Sequence, residues 1–86
     1  MKATFDGTVV RLGKEGRILY EQSGYGRLEY DGVKLSPQEA LYLLHRKKIE
    51  VSGYTFNTLL SEFAGQSNFL RSFLVYRDLR ERGYVV

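Results

Sequence analysis

The sequence has no cysteine, one proline and one histidine. Without cysteine, disulfides and thiolate-bound zinc are excluded, and a reducing interior, the cytoplasm, is the expected compartment. With one histidine and scattered carboxylates, no metal-ligand spacing is matched, and neither a metal nor a cofactor is expected. No apolar run approaches the roughly 20 residues that span a bilayer, so no membrane association is expected. The opening MKATFDG turns polar at once and lacks the apolar core of a signal peptide. No repeat, low-complexity tract or linker breaks the chain.

What is present is an ordinary globular mixture in 86 residues, enough for one domain spanning 1–86 with little surplus stability. The net charge is +3, and much of the excess falls at the C-terminal end, where Arg71, Arg77, Arg80 and Arg82 outnumber Asp78 and Glu81. Mild basicity permits a nucleic-acid partner without showing one. If this chain touches RNA, these four arginines are the candidate phosphate contacts, and binding is expected to be weak and salt-sensitive.

ATFDGTVVRL places Asp6-Gly7 between two β-favouring runs, the signal of a two-residue hairpin turn. Ile18, Leu19 and Gln22 have helical spacing, with Gly24 as the stop. RLEYDGVKLS reads as strand, turn at Asp31-Gly32, strand. SPQEALYLLHRKK is the clearest helix start. Ser36 can cap it, Pro37 sits at the first helical position, and Glu39 completes a capping box. A short strand with Ile49 and Val51 on one face follows. A second helix is then capped by Thr55 and stopped at Gly65, and a third runs from a Ser67 cap to Gly83.

That last helix carries Phe69, Phe73, Tyr76 and Leu79 as one stripe and Leu70 and Leu74 as another, beside a polar wedge of Arg71, Asp78 and Arg82. Such breadth predicts a central helix packed on several sides, with Phe73 and Leu74 both buried, and Tyr84-Val85-Val86 as a following strand. The fold class expected is α+β, a small mostly antiparallel or mixed sheet against three to four helices.

Candidate chemistry is thin. His45, in LLHRKK, suits a helix C-terminus and has no fitted carboxylate, so it reads as a surface or structural residue. The glycines of GYGR lead into a strand, not a helix N-terminus, so they read as a turn and not as a phosphate cradle. The seven tyrosines are scattered over all elements. The last two helices have helix-turn-helix form, with residues 64–67 between them, but the second begins Asn68-Phe69-Leu70, which reads as core. No catalytic residue is assigned.

LYEQSGYGR, LSPQEALYLLHRKKIEV and FLVYRDLRERGYVV, in that order, resemble the N-terminal domain of archaeal tRNA-splicing endonucleases, the tRNA-intron lyases. The resemblance covers nearly the whole chain. It implies a small mixed sheet against three helices, and a separate C-terminal nuclease domain beyond Val86. That domain holds a tyrosine, a histidine and a lysine that cut precursor tRNA at a bulge-helix-bulge without metal, leaving a 2′,3′-cyclic phosphate and a 5′-hydroxyl. It also implies a homo- or hetero-oligomeric enzyme. None of the catalytic trio can be placed on this chain, so the 86 residues are expected to be inactive while the parent protein is an endoribonuclease. Two functions stand side by side: a structural and assembly domain of such an enzyme, or a stand-alone helix-turn-helix-like nucleic-acid-binding module.

Overall fold

The computed structural model describes residues 1–65 and 68–84. Among the described residues, five strands form one sheet: β1 (Lys2–Phe5), β2 (Val10–Leu12), β3 (Arg27–Glu29), β4 (Gly32–Leu35) and β5 (Glu50–Val51). Four α-helices accompany them there: α1 (Arg17–Ser23), α2 (Pro37–His45), α3 (Phe56–Phe63) and α4 (Phe69–Glu81). The strand order is β3-β4-β2-β1-β5, antiparallel except for the parallel β1–β5 pair. This is the α+β architecture with a mixed sheet that the sequence predicts.

The period-2 alternation of strands decides which face is covered. Ala3, Val10, Leu12, Val33, Leu35 and Val51 point inward and are buried. Leu41, Leu43, Leu59, Phe63, Phe69 and Phe73 meet them from the helices. Lys2, Thr4, Arg11 and Lys34 alternate onto the opposite face.

The first hairpin forms, but its turn is longer than predicted. Phe5 pairs with Val10, so residues 6–9 make the loop. Asp6 organises it as an Asx turn, accepting from the backbone N–H groups of Thr8 and Val9, each at 2.9 Å, and from the Thr8 hydroxyl at 2.8 Å. Those bonds to Val9 and Thr8, with Arg11 beside them, hold the Asp6 carboxyl well below the usual carboxylate range. The second hairpin is the tight one. Glu29 pairs with Gly32 across residues 30 and 31, so Gly32 opens β4 and is not a turn residue.

Helix α1 ends at Gly24, whose φ of 70° is the left-handed conformation that closes a helix. Helix α2 begins as read. The Ser36 side chain accepts from Glu39 N–H at 3.2 Å, and Glu39 Oε1 accepts from Ser36 N–H at 2.9 Å. Glu39 does more than cap. Its other oxygen accepts from Gly26 N–H at 2.7 Å, so one buried carboxylate joins the start of α2 to the loop before β3. Ser36→Ala should lower stability by about 1 kcal/mol. An unchanged denaturation midpoint in that variant would show that the cap contributes nothing.

Thr55 caps α3 as predicted. The Ser67 cap lies outside the described residues; Asn68, with φ of 60°, occupies the N-cap position of α4 without a side-chain cap bond. Gly83, with φ of 91°, follows the helix. Val85 and Val86 of the expected terminal strand also lie outside the described residues, and Tyr84 is exposed. One expectation fails. Phe73 is buried at 4% exposure, but Leu74 is 44% exposed, and α4 is covered on one side only.

Candidate functional site

Helix α4 is where most of the candidate residues sit, and its 100° step sorts them. Phe69, Phe73, Tyr76 and Arg80 fall on one line that faces the fold. Phe73 touches Phe56 and Phe69 with ring centroids 6.1 and 6.4 Å away. Tyr76 meets Tyr42 of α2 edge-on at 6.0 Å. A hydrogen bond of 2.9 Å from Gln38 to the Ser72 hydroxyl fastens α4 to the start of α2.

The four arginines do not form one patch. The Arg80 guanidinium is taken up inside. It lies 3.8 Å over the Tyr25 ring, donates from Nη1 to the Ser23 carbonyl at 2.7 Å, and from Nε to the Tyr76 hydroxyl at 3.1 Å. Its other terminal nitrogen is buried without a hydrogen-bond partner among the described residues. Burial pushes the Tyr76 phenol up to about 12 and raises Tyr25, against the pull of the guanidinium. Arg82 pairs with Asp78 one turn back, at 3.3 Å and largely exposed. Arg71 shares that exposed side, and Arg77 is half-buried on another.

Arg80 thus fastens α4 to the end of α1. Removing it loses a charge-assisted hydrogen bond of about 1.5–3 kcal/mol and a cation–π contact of about 0.5–2 kcal/mol. Relief of the unpartnered nitrogen offsets part of this. The net expectation for Arg80→Ala is about 2 kcal/mol by chemical denaturation, with partial recovery in Arg80→Met, whose stem keeps the packing. A variant as stable as the parent would mean that the stack holds nothing together.

The other side of α4 is uncovered. Leu70 is 55% exposed and Val75 54%, beside Leu74. His45 ends α2 on the surface, tilted against Phe56 at 5.8 Å. Among the described residues, no three histidine or carboxylate side chains come together as a metal would require, and no helix is long and apolar enough to cross a membrane. A recognition helix needs base-reading side chains in its first turn. In α4 that turn is anchored by Phe69, which is core.

A further feature escapes sequence reading. The registers set Arg27 opposite Lys34, and Lys34 opposite Arg11. Arg11 is neutralised by Asp6 and Glu29. Arg27 and Lys34 line a hollow of about 430 Å³ with Gly26, Ser36 and Pro37. The pairing follows from two-residue hairpin geometry. It was hidden because Gly32 reads as a turn residue.

A family profile described as "tRNA intron endonuclease, N-terminal domain" matches residues 1–60. A tRNA-splicing endonuclease of Natronomonas pharaonis is 41% identical over 88 residues, covering all of this chain and 25% of that protein. One from Methanosarcina acetivorans is 40% identical, again over the whole chain and 26% of its own length. One from Methanothermobacter thermautotrophicus is 42% identical over 81% of this chain and 43% of its own length. The chain therefore spans a quarter to under half of these relatives. With the profile over its first 60 residues and such identities across its length, the chain belongs to the tRNA intron endonuclease N-terminal domain family.

Proposed function

We propose that this chain serves as the structural and assembly domain of a tRNA-splicing endonuclease, with α4 as the helix that docks the catalytic part. One observation carries the reading. Helix α4 buries Phe69 and Phe73 in this domain while leaving Leu70, Leu74 and Val75 open to solvent. A helix that keeps apolar side chains on its solvent side, flanking the polar wedge of Arg71, Asp78 and Arg82, suits a position between two packed bodies. The family profile ends at residue 60, ahead of α4, while similarity to the much longer relatives continues through it. In this reading precursor tRNA is cut at a bulge-helix-bulge by the nuclease domain of the assembled, oligomeric enzyme in the cytoplasm. This domain supplies no catalytic group. Contacts from α4 to RNA fall to Arg71, Arg77 and Arg82, because Arg80 is engaged internally.

The test uses two proteins, the 86 residues and the same residues continued through their natural downstream sequence, each incubated with labelled bulge-helix-bulge RNA in EDTA. Cleavage is expected from the longer protein alone. Leu74→Glu should leave the melting of the short chain unchanged and weaken assembly and cleavage in the long one. Cleavage by the short chain that disappears in His45→Ala would overturn the reading, and tight sequence-selective duplex DNA binding by the short chain would favour the helix-turn-helix module.

A further inference from the structure

We propose that the uncovered face of the sheet binds the phosphodiester backbone of RNA, gripped between Arg27 of β3 and Lys34 of β4. The proposal rests on the reading above for its choice of partner, but the observations are separate from α4. Directly opposed residues on an antiparallel pair have Cβ atoms about 5 Å apart, and like charges there repel. Arg27 and Lys34 occupy such a pair, with Arg11 next in the row. Arg11 has two carboxylates. Neither Arg27 nor Lys34 has an ion-pair partner among the described residues. The carboxylate in their hollow is Glu39, and both of its oxygens already accept backbone N–H groups. The fold therefore sets two cations side by side with no direct ion-pair partner among the described residues, a place that an incoming anion would fill.

The composition of the face selects the kind of anion. Its strand side chains are Lys2, Thr4, Arg11, Arg27, Glu29, Lys34 and Glu50, with Val9 beside the hollow. None of those strand side chains is apolar. A protein partner needs an apolar centre to its interface, whereas nucleic-acid interfaces are polar and positively charged. Strands about 4.8 Å apart give the row a reach of roughly 10 Å, so it offers a flat track to an extended polyanion.

The experiment uses this chain and a single-stranded RNA oligonucleotide. Binding is followed by fluorescence anisotropy across a salt series, and the amides of Gly26, Arg27 and Lys34 by NMR. The expected result is weak binding that shifts those amides. In R27Q/K34Q the slope of log affinity against log salt should fall by about 1.4, at ~0.7 per phosphate contact. R71Q/R82Q should keep the amide shifts. Because the opposed charges repel, R27Q/K34Q should melt no lower than the parent, which a merely structural pair would not do. Equal affinity and slope in R27Q/K34Q, no RNA binding at low salt, or equally tight binding of poly-glutamate at the same amides would each overturn the proposal. Those failures would leave the docking role of α4 untouched, since that role is read by assembly and cleavage in the longer protein.

Discussion

Phe73→Ala should cost about 3–5 kcal/mol, and Leu74→Ala within about 0.5 kcal/mol. The two residues are adjacent and both apolar, so propensity and hydropathy barely separate them. Their surroundings do. Phe73 is 4% exposed, wedged between Phe56 and Phe69, and its loss leaves a cavity where α4 meets α3. Leu74 points away from the fold. A domain of 86 residues has a total stability of only about 4–13 kcal/mol at the usual 0.05–0.15 per residue. Phe73→Ala therefore removes a large fraction of it, and the variant is expected to be partly unfolded near physiological temperature. Urea denaturation of both variants decides the matter. Comparable losses from the two would mean that α4 is covered on both sides within this chain, which would remove the argument for a docking surface.

The same helix shows where sequence reading stops. Its length, its C-terminal glycine and its apolar breadth are local properties, and all were legible. Which of two apolar sides is buried depends on α2 and α3, which a helical wheel does not contain. The start of α2 was legible to the residue because a capping box is completed within four positions. What was not legible is that Glu39 also reaches Gly26, a contact 13 positions away. Arg80 makes the point more sharply. It reads as one of four surface arginines, yet it closes on a carbonyl 57 positions upstream. Its stem is long enough to reach inward, and Tyr25 offers a ring face, but nothing near residue 80 announces either. The cationic pair of β3 and β4 lies between these cases. Once the loop is known to hold two residues, Arg27 and Lys34 must oppose each other, so one local error about Gly32 concealed a surface feature.

Gly32 carries the second large prediction, and it separates two reasons for a glycine. A turn glycine is needed for positive φ, and asparagine replaces it better than alanine does. Gly24 is of that kind, with φ of 70° at the end of α1. There Gly24→Ala should cost about 1 kcal/mol, and Gly24→Asn less. Gly32 is not among the positive-φ residues. It is buried at the start of β4, where a Cβ would lie 2.0 Å from the Leu12 carbonyl oxygen and 3.0 Å from its carbon. The obstacle is backbone in β2, which cannot swing aside as a side chain would. Room could be made only by displacing the carbonyl end of Leu12, and Leu12 is paired with Val33 near the centre of the sheet. Forced overpacking of this kind costs about 1–3 kcal/mol, and a backbone obstacle places Gly32→Ala at the upper end, about 3 kcal/mol. Gly32→Asn should be no milder, because its Cβ meets the same oxygen. If asparagine instead rescued position 32 as it does position 24, the residue would be a turn glycine after all. The register between Glu29 and Gly32 would then be wrong, and with it the opposition of Arg27 and Lys34.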